Sequence, residues 1–341
     1  MTPMMKAAFL VDYGQPLEIR EVPIPEPKPG EVLVKLDVCG VCHSDIHFWK
    51  GEHELPGGLP QILGHEGIGQ VVKTGSDDSR FTEGERVGVG YVYDTCHHCR
   101  ECHTGHETNC ADAQATGVHV NGCYAEYVCL REEWTTRIPE SLDAFDAAPL
   151  LCAGVAAYSA VRKANLEAGS VAAVFGAGGL GLYAVQAAKL TGARVVAVDI
   201  DTEKLALAKD MGADYCVRAD EDPVTYIQSL GGADACLNFA PVASTWKQML
   251  AACSPRGRVL LVALPNDELS FHAADIIESG LTVQGSADGN RQELSQLMAL
   301  AEAGEVRSIT EVLPFEQIND AFSRVAEGKL NSRIVLDIAG K

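Results

Sequence analysis

The chain has 341 residues, 47% of them hydrophobic, with 47 Asp plus Glu against 27 Lys plus Arg and a formal charge of −20. That length suits two ordinary domains with filled cores, and so negative a surface would repel the phosphates of nucleic acids and anionic lipids, so neither is expected as a partner. No apolar run reaches membrane-spanning length and the opening "MTPMMKAAFLVDYG" turns polar before a signal-peptide core can form, so a soluble cytoplasmic protein is expected.

The first 40 residues alternate in short strand-like runs, "KAAFL", "LEIREVPI" and "EVLVKLDVCGV", separated by turns such as "PEPKPG". Strands and turns of this kind are expected to continue to about residue 135. They pass through "ILGHEGIGQVVKTG", where His65 and Glu66 sit among small and apolar residues; taken alone, the pair reads as a glycine-rich turn between strands. A Cys- and His-rich loop between Thr95 and Cys110 interrupts the pattern. From about residue 154 the character changes. Strand "SVAAVF", turn "GAGGLG", helix "LYAVQAAKLTG" and strand "RVVAVDI" form a βαβ unit. Helix "DTEKLALAKDMG", strand "ADACLNFA", helix "ASTWKQMLAAC" and strands "GRVLLVAL" and "LTVQGS" continue the alternation, which predicts a doubly wound parallel sheet covered by helices. Two further helices, in "RQELSQLMALAEAG" and "FEQINDAFSRVAEG", and a last strand, "SRIVLDI", are expected to return to the first domain. The fold class is thus α/β plus β, with limits expected at 1–153 and 287–341 for the β-rich domain and 154–286 for the doubly wound one.

Three constellations carry chemistry. In "VFGAGGLG", Gly176, Gly178 and Gly181 satisfy G-x-G-x-x-G, with Gly179 and Leu180 between, directly after a strand and at the start of a helix. Gly176 suits a tight turn, Gly178 close approach of a pyrophosphate and Gly181 close packing of helix on strand, while the helix N-terminus supplies N–H donors. Asp199 ends the next strand 18 residues after Gly181, where a carboxylate can bond both hydroxyls of an adenosine ribose. That favours NAD over NADP, whose 2′-phosphate would meet the negative charge, with Lys204 or Arg194 available to soften the penalty. The second constellation is "CHHCRECHTGHETNC", where Cys96, Cys99, Cys102 and Cys110 are spaced C-x2-C-x2-C-x7-C. Four thiolates on such a loop suit a closed structural zinc site, iron–sulfur ligation being the rival, and zinc there can supply on the order of 10 kcal/mol to ordering a loop that is poor in apolar residues. With four sulfurs in the shell, His97, His98, His103 and His106 are expected in solvent. The third set is dispersed: Cys42 in "CGVCHSDIH", His65 in "GHEG" and Cys152 in "LLCAGVAAY". Two cysteines and one histidine with a free fourth position make a catalytic zinc site of the alcohol dehydrogenase kind. Each of the three alone also reads as a core thiol or a turn histidine.

Together these residues resemble the zinc-dependent alcohol dehydrogenases of the medium-chain dehydrogenase/reductase superfamily over essentially the whole chain, with "GHEGIGQVVKTG" as the zinc signature and "CAGVAAYSA" most like the compact microbial enzymes. The resemblance implies a GroES-like β-rich catalytic domain plus a Rossmann cofactor domain, usually in a homotetramer. It implies two zinc ions per chain, with Cys42, His65 and Cys152 on the catalytic one and Cys96, Cys99, Cys102 and Cys110 on the structural one, and NAD as cofactor. Glu66 would sit behind the catalytic metal and transiently coordinate it, or else serve as buried partner of a cation such as an arginine near the cofactor. Asp45 would accept the other ring N–H of His65. Ser44 and His47 would form a proton relay through the nicotinamide ribose to water, and His43 and Arg333 would contact the pyrophosphate. The activity implied is reversible oxidation of a primary or secondary alcohol to an aldehyde or ketone, the metal favouring the alkoxide and hydride passing to the nicotinamide.

Departures from the family pattern bear on substrate. Ala156 stands where relatives often have threonine, and His53 where close microbial relatives carry a bulky aromatic; His53 and Tyr91 are expected to line the substrate pocket. A polyol or aryl-alcohol dehydrogenase of the same superfamily is the alternative enzyme, although polyol enzymes often use glutamate as third protein ligand where Cys152 stands, and cinnamyl-type enzymes favour NADP. A zinc-binding interaction protein would leave the glycine loop without a role. Cys39, Cys123, Cys129, Cys216, Cys236 and Cys253 belong to no motif and read as reduced thiols.

Overall fold

The computed structural model describes residues 2–264 and 268–340. The chain divides into two units, Met1–Cys152 with Asn290–Lys341, and Ala153–Gly289.

In the first unit the long strand Glu31–Gly40 is the hub. Its Val32, Val34, Leu36 and Val38 are buried, as β-branched and apolar residues on a packed strand should be. It pairs antiparallel with Gly67–Thr74, Tyr127–Arg131 and Arg333–Asp337. The sheet runs in the order Thr135–Arg137, Arg86–Val89, Gly67–Thr74, Glu31–Gly40, Arg333–Asp337, Thr310–Pro314. Only the last pair in that order is parallel, because the helix Ile318–Glu327 crosses between its two strands. That helix buries Ile318, Ala321, Phe322 and Val325, one face at helical spacing.

Register builds the site. Cys39 faces Gly67 and Gly40 faces Val335, so the end of the hub strand and the starts of two neighbours lie side by side. Gly40 N–H donates to Glu66 O at 3.0 Å and Val41 N–H to Ile334 O at 2.9 Å. Cys42, His65, Glu66 and Arg333, each at or next to one of these strand ends, are thereby drawn together. The all-β expectation for this part is corrected by the helix His43–Trp49, which follows the hub strand directly.

The second unit is a six-stranded parallel sheet in the order Tyr215–Arg218, Arg194–Asp199, Val171–Phe175, Ala233–Asn238, Cys253–Leu261, Thr282–Gly285. The first strand in sequence lies in the middle and the order reverses beside it, as in Rossmann sheets, where ligands bind at the carboxyl ends of the strands at that switch. All five residues of Val171–Phe175 are buried, which fits a strand covered on both faces. The sequence reading passed over the helix Ala153–Ala164, the short strand Tyr215–Arg218 and the helix Pro223–Ser229. Among the described residues no single helix is long and apolar enough to cross a membrane.

Candidate active site and metal centres

The ligand atoms of Cys42, His65, Glu66 and Cys152 lie within 4.8 Å of one another. Cys42 N-caps the helix His43–Trp49, His65 and Glu66 precede the strand Gly67–Thr74, and Cys152 ends the 3₁₀ turn Ala148–Leu151. The two sulfurs are 3.7 Å apart. A tetrahedral metal with bonds of 2.3 Å to sulfur requires an edge of about 3.8 Å, so the thiols already stand at zinc spacing. His65 and Glu66 are 2% and 0% exposed, yet His65 Nε2 and Glu66 Oε2 have no hydrogen-bond partner among the described residues. Buried polar atoms left so are costly, and here they converge on the same point as the two thiols. The donor set fits a zinc ion. The neighbouring Cys152 thiol, then His65 and Arg333, hold the Cys42 thiol well below its ordinary value despite burial, which favours the thiolate a metal needs.

The other faces of these ligands are fixed. Asp45, itself buried, is a four-way acceptor: Oδ1 faces His65 Nδ1 at 3.3 Å and Gly64 N–H at 3.2 Å, while Oδ2 takes Cys42 N–H at 3.2 Å and the Tyr124 hydroxyl at 2.7 Å. An acceptor at Nδ1 places the imidazole hydrogen there and leaves the lone pair on Nε2, the orphaned atom. Burial works against the imidazolium, but the Asp45 charge and hydrogen bond raise the His65 value well above normal. Glu66 Oε1 accepts from Arg333 at 2.6 Å. Burial pushes its carboxyl up to about 7 against the pull of that guanidinium. Of the two alternatives for Glu66, the cation partnership is present in the structure, and one of its oxygens lies within the donor cluster.

Cys96, Cys99, Cys102 and Cys110 form the second cluster. Sulfur separations of 3.9 Å for Cys96 to Cys102 and 3.5 Å for Cys99 to Cys102 bracket the same tetrahedral edge. Backbone N–H groups turn inward with the chain: Cys99 N–H donates to Cys96 Sγ at 3.3 Å and Cys102 N–H to Cys99 Sγ at 3.5 Å. N–H donors of His98 and Cys99 lower the Cys96 thiol to about 7. His97, His98, His103 and His106 are all exposed, with His97 Nε2 bonded to Asp94 at 2.7 Å.

In the second unit the glycine loop joins the strand Val171–Phe175 to the helix Gly181–Leu190. Gly176 has φ of +94°, and a Cβ there would come within 2.8 Å of Ala240 N; one on Gly181 would lie 1.8 Å from Gly176 O. A Cβ on Gly178 would meet nothing within 4 Å. Two glycines thus serve packing, and the third leaves open space where a phosphate would approach, so the loop fits a dinucleotide. Gly179 and Leu180 complete it, both partly exposed. Asp199 Oδ2 accepts Ala177 N–H at 2.7 Å and Oδ1 accepts Asp201 N–H at 3.0 Å, which holds the carboxylate beside the loop. Lys204 is half-buried on the helix Thr202–Asp210. Arg194 is a correction: it begins the strand that Asp199 ends and reaches toward Leu230 O at 3.4 Å, so it stands about 17 Å of strand rise from the Asp199 carboxylate and cannot soften its charge.

The remaining predicted residues gather on the helix His43–Trp49 and around it. Ser44 and His47 are half-buried and His43 is exposed, its ring 5.0 Å from that of His47. His53 is exposed, with its ring 5.4 Å from His47 and 5.8 Å from Phe48. Tyr91 instead lies edge-on to His65 at 5.1 Å, against the metal cluster. Two residues escaped the sequence reading. Tyr124 in "NGCYAEY" carried no motif, and Glu52, whose carboxylate meets His47 Nδ1, was signalled only by the glycine before it.

The family model for the alcohol dehydrogenase GroES-like domain matches residues 28–140, and that for zinc-binding dehydrogenases matches residues 179–303. An alcohol dehydrogenase of Moraxella sp. (strain TAE123) is 41% identical over 335 residues, 98% of this chain and 99% of that protein. One from Geobacillus stearothermophilus is 40% identical over 336 residues, again 98% and 99%. The crystal structure of the alcohol dehydrogenase from the archaeon Aeropyrum pernix has a TM-score of 0.90 at 33% identity and covers 98% of this chain and 100% of its own. With both ends of the chain matched at this level, and with two clusters of metal-binding donors and a dinucleotide loop in place, the chain belongs to the zinc-dependent alcohol dehydrogenases of the medium-chain dehydrogenase/reductase superfamily.

Proposed function

We propose that the chain reversibly oxidises primary or secondary alcohols to aldehydes or ketones with NAD, and that it holds one zinc at Cys42, His65 and Cys152 and another at Cys96, Cys99, Cys102 and Cys110. The observation that carries this reading is the buried convergence of two thiols, one orphaned imidazole nitrogen and one orphaned carboxylate oxygen. When bound, the zinc at the first site supplies Lewis acidity toward an oxygen and the dinucleotide supplies the hydride acceptor. Asp45 holds the His65 ring so that Nε2 faces the cluster, and Arg333 keeps Glu66 in place with one oxygen turned inward. Ser44 and His47 pass the hydroxyl proton outward, and Tyr91 and His53 bound the substrate. His43 and Arg333 serve the cofactor phosphates, and Asp199 discriminates against a 2′-phosphate.

In this reading 1–153 and 287–341 form the catalytic part, and 154–286 binds the cofactor. A homotetramer is part of the proposal. The edge strand Thr282–Gly285 exposes Val283, the helix Ala273–Ser279 buries no side chain, and Phe271 and Ile277 are 54% and 76% exposed, a surface that a second copy would cover. A cytoplasmic location is also proposed; none of the twelve cysteines is in a disulfide, which suits a reducing compartment.

The test is a panel of primary, secondary, aromatic and polyol alcohols with NAD and NADP, before and after a chelator. Metal analysis accompanies it, with two zinc ions per chain expected. Zinc-loaded protein that oxidises none of them with NAD would sink the reading.

A further inference from the structure

The helix His43–Trp49 ends in a Schellman motif. Lys50 caps it, Gly51 takes φ of +73°, and the chain doubles back. Two backbone bonds close the motif: Gly51 N–H to Phe48 O at 3.0 Å, and Glu52 N–H to His47 O at 2.9 Å. A side chain at position 51 would be disfavoured twice, by that φ and by the Tyr13 ring 3.1 Å from its Cβ. The second backbone bond pins Glu52 over the same residue whose ring its side chain reaches, so that Glu52 Oε2 meets His47 Nδ1. A carboxylate can only accept, so the imidazole hydrogen sits on Nδ1 and the lone pair of the neutral ring on Nε2. The two side chains are 21% and 37% exposed, at the boundary with water. Around the His47 ring stand the rings of His43 and His53, with Lys50 in the turn. The helix Ile318–Glu327 meets this one through an apolar contact, Phe322 against Trp49.

We propose that Glu52 is a positioning residue for proton transfer: it holds His47 in the Nδ1–H tautomer, so that Nε2 receives the proton leaving the alcohol and hands it to water. The inference rests on the relay reading of Ser44 and His47 above. The substrate hydroxyl gives up one proton, Ser44 Oγ gains one as it passes one on, and His47 Nε2 takes it. The imidazolium, with the Glu52 carboxylate beside it, releases the proton from Nε2 to solvent and returns to its starting tautomer. Without the acceptor at Nδ1 both tautomers populate, and the Nε2–H form has no lone pair where the proton arrives.

Nitrogen-15 NMR of histidine-labelled, zinc-loaded protein without dinucleotide reads the tautomer, with the His47 signals assigned by their loss in His47→Gln. The Nδ1–H form is expected in the unaltered chain and a mixture in Glu52→Ala, which removes the acceptor outright where a glutamine amide oxygen would keep one. In that variant kcat for alcohol oxidation should fall about two- to fivefold, the range an exposed ion pair supports, with KM unchanged and with recovery when a small base such as imidazole is added. An Nε2–H ring in the unaltered chain, or a tautomer or kcat unmoved by Glu52→Ala, overturns the proposal. If His47→Gln itself keeps full kcat, the relay reading fails, and the tautomer measurement reports separately whether Glu52 orients the ring.

Discussion

Asp45→Asn should loosen the first metal cluster without changing its volume. The carboxylate accepts from four donors, two on each oxygen: His65 Nδ1 and Gly64 N–H on Oδ1, Cys42 N–H and the Tyr124 hydroxyl on Oδ2. An amide keeps one acceptor and puts an NH₂ against the other pair. If the NH₂ takes the Oδ2 place, the hydroxyl can turn and accept from it, but Cys42 N–H is orphaned. If it takes the Oδ1 place, Gly64 N–H is orphaned, and His65 must carry its hydrogen on Nε2 to accept at Nδ1, which removes the lone pair a metal needs. Either way one buried backbone donor loses its partner, at about 1–3 kcal/mol, and the surviving bonds lose their charge assistance, so a stability loss of about 2–4 kcal/mol is expected. Metal affinity should fall about 10- to 100-fold, the range for losing a carboxylate behind a histidine ligand. Urea unfolding of metal-loaded and chelated protein gives the first quantity, and competition with a chromophoric chelator gives the second. Tyr124→Phe, which removes one donor and orphans nothing, should show a smaller change in both. Unchanged chelator competition in Asp45→Asn would refute the argument that this carboxylate orients the ligand.

Gly181→Ala places a Cβ 1.8 Å from Gly176 O, so the loop and helix must part by about 1.5 Å, and displacement on that scale costs up to about 100-fold where geometry matters; NADH affinity, followed by fluorescence, should fall at least tenfold with zinc content intact. On the two-zinc proposal, Cys99→Ala should remove one zinc per chain. It should also raise protease sensitivity across residues 95–110. Because Arg291 reaches Glu107 at 3.1 Å and Asn290 reaches Gly105 O at 2.9 Å, hydrogen exchange should quicken at the start of the helix Arg291–Glu302 as well. Burial works against the Asp214 carboxylate, yet hydrogen bonds from Lys189 and Val195 N–H hold its pKa below the ordinary value. A depressed folded-state value contributes stability that is present above the unfolded value and is lost as pH falls through the folded one. The urea midpoint should therefore drop less between pH 5 and pH 3 in Lys189→Gln than in the unaltered chain, and equal slopes would count against this account.

Short-range patterns were legible and long-range pairings were not. The four-cysteine loop and the glycine loop each lie within one local segment, so spacing alone places their donors. Five of the six strands of the second unit were legible in the sequence; the four-residue strand Tyr215–Arg218 was too short to stand out. The helix His43–Trp49 was not legible, because seven residues with four polar ones and a tryptophan carry too little periodicity to stand against the strand before them. Without that helix there was no Schellman motif to read, and Glu52 stayed an ordinary surface acid. Arg333 and Glu66 are separated by 267 residues, and only the pairing of the C-terminal strand with the hub strand makes them neighbours. The Arg194 expectation failed for a related reason: five residues apart along a strand means opposite ends of it.

The two metal clusters close very different lengths of chain. In the four-cysteine loop Cys96 and Cys110 are 14 residues apart, whereas Cys42 and Cys152 are 110 residues apart and His65 comes from a third segment. Closing the longer loop costs about 1.8 kcal/mol more in chain entropy, before any sheet has formed to share the cost. A nascent chain can therefore gather the four sulfurs around an ion soon after Cys110 is made. The other cluster must wait for Cys152 and for the hub strand Glu31–Gly40 to pair with Gly67–Thr74, which brings Cys42 and His65 together. If both clusters take a metal as proposed, the topology thus gives the loading an order, local loop first and dispersed cluster second.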